Sequence, residues 1–477
     1  MKRFISKYSF KLPRSLAYML QASEYNISEY IEWYKNVKNF NSVEHRKKLI
    51  KTKKSLLLLI SLWAIIIIAI STSAYFYIYY SEVNYKYIIP LVIIILLPHL
   101  LGYLILLPLL LIKVLIQLPI EKSIIKRATE KLSKNKAIKI AIAGSFGKTS
   151  IREILYTVIS QKLKVAAPPH SYNTPLGISR FIEKLDGDED VLIFELGEYY
   201  PGDIKKLCEL VKPNIGIVTG INDAHLKKFK TIEKTVKTIY EISEFIPSEK
   251  LYINEENELA NQNAPENVLK YGKYKCNNLT TDDIKTDISG TTFNILKKDE
   301  KISVKSKLLG THQVGPLLAA ASIADSLGIG LDAIKEGINK TKPFPHRLEP
   351  FTDSVGIITL DDSYNGNPDG VDAIISFISS LKGYRRFYVT PGLVEMGERS
   401  ASIHRIIGEK LARANIEKVV LINNSVTPYI EEGLKKEKYK GEIIKFDDAL
   451  KAYNSLKHLT VKGDLVVLQN DWPDQYH

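Results

Sequence analysis

The stretch IAIAGSFGKTSIREIL, Ile140–Leu155, decides how the rest of the chain is read. It opens as an apolar strand, turns through Gly144-Ser145-Phe146-Gly147, and leaves as a helical pattern through Lys148-Thr149-Ser150. A glycine turn running from a strand into a helix offers amide N–H groups to phosphate oxygens. The lysine adds a point charge, and the threonine hydroxyl is a ligand for Mg²⁺. The first glycine of the usual eight-residue phosphate-loop pattern is missing, since Ile142 stands five places before Gly147. Residues Gly144, Ser145, Phe146, Gly147, Lys148, Thr149 and Ser150 are therefore the candidate nucleotide-binding turn.

The 477 residues suffice for two or three domains with full cores. Two cysteines, Cys208 and Cys276, make no disulfide framework and suggest reduced thiols facing the cytosol. The net charge of +13 is not spread evenly. Residues 1–54 hold 13 Lys/Arg against 4 Asp/Glu, residues 113–139 hold 8 against 2, and residues 140–477 come to −2. That distribution argues against a basic nucleic-acid-binding face, because the charge flanks two apolar runs instead.

Those runs, residues 55–80 and 87–112, are 26 residues each and uncharged. As helices each would span roughly 39 Å, more than a hydrocarbon core of about 30 Å. They are apolar all round, which argues for a transmembrane helical hairpin rather than buried core helices. Basic flanks on both outer sides and a short neutral connection place both termini in the cytoplasm, at the inner (cytoplasmic) membrane. Tyr75, Tyr77, Tyr79 and Tyr80 would sit at the far interface, and Pro98 and Pro108 permit a kink or a re-entrant path. More than fifty mostly polar residues precede the first run, so a cleavable signal is not expected. Residues 1–54 read as basic amphipathic helices against the inner leaflet.

Beyond the turn, a series of stretches follows in order: SYNTPLGISR (171–180), FELGEYYPGDIKKL (194–207), PNIGIVTGINDAHLKKF (213–229), LLGTHQVGPLLAAASIADSLG (308–328), HRLEP (346–350), LDDSYNGNPDGVDAI (360–374) and TPGLVEMGERSASIH (390–404). The series resembles the Mur ligase family of ATP-dependent amide ligases, in particular the branch that adds D-alanyl-D-alanine to a UDP-MurNAc-peptide. The resemblance covers residues 138–477. It implies ATP and Mg²⁺ as cofactors, with Glu195 and His225 joining Thr149 as metal ligands. Independently, Glu195 ends a strand-like run and His225 closes the loop after another, where ligands sit in α/β sheets. By the same resemblance Arg347 reaches back to ATP phosphate and Asp362 accepts hydrogen bonds from the ribose. Asn173 and Thr174 lie near the reacting carboxylate, with Tyr364 and Asn365 as further substrate-side candidates. Lys148, Glu195, His225 and Arg347 are the expected catalytic set. His404 aligns with a family histidine but suggests only packing or a cap.

The implied reaction has two steps: a substrate carboxylate takes the γ-phosphate as an acyl phosphate, and an amine then displaces phosphate. The expected substrates are a cell-wall precursor and an amino acid or dipeptide. The chain also departs from the family. The lysine whose carbamate serves a second Mg²⁺ would fall at Ile239, with Lys237 two residues away. The adenine-side motif reads His312-Gln313 and then Pro316, and the last motif reads Gln469-Asn470-Asp471. In place of the branch's UDP-binding domain stands the apolar N-terminal part, which motivates a membrane-attached, for example lipid-linked, substrate held by confinement. These losses also motivate an alternative, a non-catalytic membrane-anchored nucleotide-binding scaffold for cell-envelope assembly.

The expected architecture is α/β. Residues 1–54 form the basic segment, 55–112 the transmembrane hairpin and 113–137 a basic juxtamembrane linker. Residues 138–345 form a central ATP-binding domain with a parallel sheet, and 346–477 a smaller Rossmann-like domain. AIKIAIAG, DVLIFELG, PNIGIVTG and KLYIN supply the central strands. VGIITLDD, RRFYVTPG, KVVLI, EIIKF and DLVVLQN supply the C-terminal ones, and TTFNILKKDEKISVKSKLLG reads as a hairpin between the two sets.

Overall fold

A computed structural model describes residues 2–44, 48–79, 83–169, 172–222, 229, 231–364, 366–394 and 396–470. These residues divide into two compact units, before and after the Ser123–Ile124 junction.

In the first unit, helix Lys53–Tyr79 carries the first apolar run and helix Val83–Leu104 most of the second. By length and composition, Lys53–Tyr79 and the stretch Lys86–Lys134 could each cross a bilayer. Helix Val83–Leu104 passes through Pro90 and Pro98, and a new helix, Leu106–Ile112, starts beyond Ile105. The break has a local cause: the ring of Pro108 denies the Leu104 carbonyl its helical N–H partner. The segment before the apolar runs forms helices, as expected, and packs them on the apolar pair. Helices Leu12–Ala22 and Ile27–Asn36 fold onto the apolar helices and share a core, with Leu16, Leu20, Tyr30, Tyr34 and Phe40 buried against Leu58, Leu62, Leu101 and Ile105. The Tyr30 and Tyr34 hydroxyls donate to the Gly102 and His99 carbonyls at 2.9 and 2.8 Å. The short period of each helix hid this, because their apolar faces are completed by residues on distant helices, Lys53–Tyr79 and Val83–Leu104. The basic stretch expected as a linker is largely helical, Leu118–Lys134.

The second unit holds two sheets. Strands β1 (Ile138–Ala143), β2 (Val165–Ala166), β3 (Val191–Glu195), β4 (Ile215–Val218), β5 (Leu251–Asn254) and β6 (Leu269–Tyr271) pair in parallel in the order β6-β5-β4-β1-β3-β2. β1 lies between β3 and β4 because its alternating Ile and Ala side chains are buried on both faces, as a central parallel strand requires. The sheet continues through β7 (Lys275–Cys276) into an antiparallel meander, β8 (Leu279–Asp287), β9 (Gly290–Lys297) and β10 (Glu300–Ser306). The hairpin read from residues 291–310 is the β9–β10 pair. One face of the sheet is covered by helices Lys148–Ile159, Val314–Ser326 and Leu331–Lys340, the other by Pro175–Ile182, Asp203–Val211 and Ile232–Ile239.

The second sheet orders as β11 (Glu349–Thr352), β12 (Ile358–Asp362), β16 (Leu465–Gln469), β13 (Arg386–Thr390), β14 (Lys418–Ile422) and β15 (Glu442–Phe446). All neighbours are parallel except the β11–β12 edge, which matches the Rossmann-like reading. Each of the five strands expected there is present.

Candidate functional site

The turn after β1 is shaped by its contacts with the loop after β4. Ser145 N–H donates to the Gly220 carbonyl at 2.7 Å, and the Thr219 hydroxyl donates to the Phe146 carbonyl. Gly144 has φ +141°, and a Cβ there would lie 2.2 Å from Thr219 Oγ1, so no larger residue fits without moving the turn. Gly147, at φ +76°, then opens helix Lys148–Ile159. The first turn of that helix carries N–H groups without intrahelical acceptors, aimed where an anion binds. The Ser145 hydroxyl is buried and has no hydrogen-bond partner among the described residues.

Two carboxylates from the end of β3 grip this turn. Glu195, the last residue of the strand, accepts from the Thr149 hydroxyl at 3.0 Å and from Arg152 Nη1 at 3.4 Å. Glu198, three residues on, holds Lys148 Nζ at 2.9 and 3.0 Å, and the ammonium also donates to the Gly144 carbonyl. Side-chain exposure is only 11% for Lys148 and 2% for Glu198, so the pair is shielded from solvent. The Thr149–Glu195 oxygens are hard donors that fit a divalent cation such as Mg²⁺. His225, expected as the third ligand, lies outside the described residues, as do Asn365 and Asp471.

The turn forms one wall of a cavity of about 510 Å³, a size suited to a nucleotide. Gly147 and Ser150 line one side, His312 and Pro316 another, and Arg347 and Asp362 face them from the C-terminal domain. Arg347 lies 5.2 Å over the ring of Tyr364, which is itself 44% exposed. Asp362 accepts from Leu348 N–H at 3.1 Å, and burial pushes its carboxyl up to about 7, with Arg347 opposing the shift. Burial also lowers Arg347, against the pull of Asp362, Tyr364 and Glu195. His312 contacts Gln313 Nε2 at 2.9 Å, and enclosure pulls its imidazole down to about 4. The altered adenine-side residues therefore do line the cavity.

Other candidates sit differently. The Thr174 hydroxyl caps helix Pro175–Ile182 by accepting from Gly177 N–H, while the Asn173 carbonyl accepts from Gly197 N–H beside the β3 carboxylates. Ile239 is fully buried in the core and, being apolar, can carry no carbamate, whereas Lys237 is exposed on the same helix. Gln469 accepts from the Thr390 hydroxyl at 2.9 Å, and Asn470 donates to the Gly392 carbonyl, both in buried positions. His404 is structural: its Nε2 accepts from Leu393 N–H at 2.8 Å and its Nδ1 contacts the Ser400 carbonyl at 2.6 Å. Glu198, Thr219 and Arg152 were not among the sequence candidates. A second carboxylate so close behind the strand-ending Glu195 is the one signal that pointed to Glu198.

Comparison with known proteins agrees with this geometry. The Mur ligase middle domain matches residues 142–324, and the Mur ligase glutamate ligase domain matches residues 346–469. The chain is similar to the UDP-N-acetylmuramoyl-tripeptide–D-alanyl-D-alanine ligase of Escherichia coli K12, at 29% identity over 289 residues, 59% of this chain and 64% of that protein. The ligase of that name from Borreliella burgdorferi is 29% identical over 339 residues, covering 68% of this chain and 71% of the relative. Among solved structures, MurF ligase from Thermotoga maritima in complex with ADP superimposes with a TM-score of 0.65 at 25% identity, covering 74% of this chain and 80% of that one. A pseudomurein peptide ligase type C from Methanothermus fervidus shares the fold, with a TM-score of 0.54 at 21% identity over 72% of this chain and 78% of that one. With both ligase domains matched in sequence order around the turn, the chain belongs to the Mur ligase family.

Proposed function

We propose that this chain is an ATP-dependent carbon–nitrogen ligase that extends a cell-wall precursor beside the membrane. The observation that carries the reading is the meeting of the glycine turn, through Phe146, Gly147 and Ser150, with Arg347 and Asp362 at one cavity built from both ligase domains. Lys148 and the turn amides bind the β- and γ-phosphates of ATP. Thr149 and Glu195 hold Mg²⁺, which when bound spreads the charge developing on the transferred phosphoryl group. Arg347 meets the phosphates from the opposite wall, and Asp362 accepts from the ribose. Asn173, placed beside the β3 carboxylates, orients the substrate carboxylate. That carboxylate attacks the γ-phosphorus of ATP and ADP leaves; an amino acid or dipeptide nitrogen then attacks the resulting acyl phosphate, losing a proton as phosphate departs. Closure of the C-terminal domain excludes water from the intermediate.

The apolar helices hold the enzyme at the inner membrane, with the ligase domains in the cytoplasm, because the Lys/Arg excess lies outside both runs. The carboxylate substrate is a lipid-linked precursor, and confinement to the same surface raises its effective concentration. A second reading, a nucleotide-binding scaffold without turnover, is favoured by the buried Ile239, an apolar side chain where the family resemblance expects a lysine. Amine-stimulated release of phosphate from ATP by the full chain decides between them. Tight ATP binding with no turnover on any amine supports the scaffold.

A further inference from the structure

The first unit carries two cations, beside a histidine that accepts from one of them, that the ligase reading does not use. Lys7 Nζ lies 3.0 Å from His99 Nδ1, and Arg3 Nη2 donates to the Tyr34 carbonyl at 3.0 Å in the same cluster. Lys7 also stands over the Tyr34 and Phe40 rings, 5.2 and 5.9 Å from their centroids. No carboxylate among the described residues pairs with Arg3, Lys7 or His99. Elsewhere in the unit the same fold does pair its charge, as Arg14 with Glu44 at 2.8 Å shows. Burial lowers Lys7, and the neighbouring charge of Arg3 lowers it further.

The surroundings say what kind of anion fits. Phe4 packs on His99 with ring centroids 5.4 Å apart, and the Tyr8 hydroxyl donates to the Ile95 carbonyl at 3.2 Å on the apolar helix. Next to these, Ile5 is 63% exposed and Phe10 89% exposed. Exposed aromatic and aliphatic side chains interleaved with Lys and Arg, continuous with an apolar helix, form the pattern of a membrane interface. Basic groups at that level meet phosphate, whose oxygens accept charge-assisted hydrogen bonds.

We propose that Arg3, Lys7 and His99 form a binding site for the phosphate of a lipid headgroup, with Phe4, Tyr8 and Phe10 seated among the acyl chains around it. The site sets the depth of the helical hairpin and orients the unit at the bilayer surface. It rests on the reading of the apolar helices as membrane-embedded, and the two fail separately. Resistance of the full chain to alkaline extraction from membranes tests the helices, whereas lipid binding in detergent tests the cluster.

The experiment measures binding of dioctanoyl phosphatidic acid to the full chain in a neutral detergent, alongside dioctanoylglycerol and inorganic phosphate. The expected result is saturable binding of phosphatidic acid only. Arg3→Gln/Lys7→Gln should weaken it by tenfold or more, at roughly fivefold per cation. Lys51→Gln/Lys53→Gln, which removes equal charge from the same unit, should leave it unchanged, and Lys7→Arg should retain it, which excludes simple misfolding. Equal losses in the two double variants would reduce the cluster to diffuse attraction and overturn the proposal. Equal binding of dioctanoylglycerol, or of inorganic phosphate at similar concentration, would overturn it too.

Discussion

Lys148 Nζ is held between both carboxylate oxygens of Glu198, at 2.9 and 3.0 Å, in a site where neither side chain is open to solvent. A phosphate that recruits Lys148 must therefore compete with a buried carboxylate. Glu198→Gln keeps an acceptor but removes the competing charge. Affinity for Mg²⁺-free ADP should rise, by about tenfold for 1.4 kcal/mol of relieved competition. Calorimetric titration of the full chain checks this, and Lys148→Ala should abolish binding in the same assay.

Gly144 and Gly147 should differ in their tolerance of alanine. At Gly144 a Cβ meets Thr219 Oγ1 at 2.2 Å and the Gly220 backbone at 2.9 Å, so Gly144→Ala must displace the turn and lose nucleotide binding. At Gly147 the nearest atom is 3.6 Å away, leaving only the strain of φ +76°. That strain is roughly 1–2 kcal/mol. Gly147→Ala should thus lower thermal stability modestly and retain binding.

Asp362 makes stability depend on pH in a defined direction. Its carboxyl titrates near 7 when folded, against 3.8 for an ordinary carboxyl, so the folded state keeps a proton that the unfolded state has lost. Its contribution is fully present below pH 4 and is lost as pH rises through 7. Three units correspond to an upper figure of about 4 kcal/mol. Asp362→Asn should therefore raise the melting temperature at pH 8 much more than at pH 5, where the difference between the two proteins should shrink.

Thr149 and Glu195 supply the oxygens of the cation site. Thr149→Val and Glu195→Gln should each weaken Mg²⁺-dependent nucleotide binding, while Mg²⁺-free binding changes little with Thr149→Val. Glu195→Gln should in addition lower stability, because Arg152, only 2% exposed, loses the charge opposite its Nη1.

Much of this was readable in the chain. The central strands are short apolar runs bounded by glycine and charge, and IAIAGSFGKTS sets strand, turn and helix within eleven residues. Glu195 was legible because it ends such a run. Glu198 and Arg152 were not, since a loop glutamate and a helix arginine ordinarily face water, and only the register of β3 against the helix after the turn buries them. The packing of the N-terminal helices on the apolar pair was not legible for a related reason. Tyr30 and Tyr34 look like one face of a small amphipathic helix, yet their hydroxyls are spent on carbonyls of Gly102 and His99, a contact that no local period encodes.

The central claim is tested most directly by following ATP conversion to ADP by the full chain with membrane-extracted lipid precursors and a panel of amino acids and dipeptides. The account predicts phosphate release that requires both the precursor and one amine, with a new amide bond on the lipid-linked product, and none of it in Lys148→Ala. ATP bound but never turned over with any pair, or equal turnover by Lys148→Ala, would contradict it.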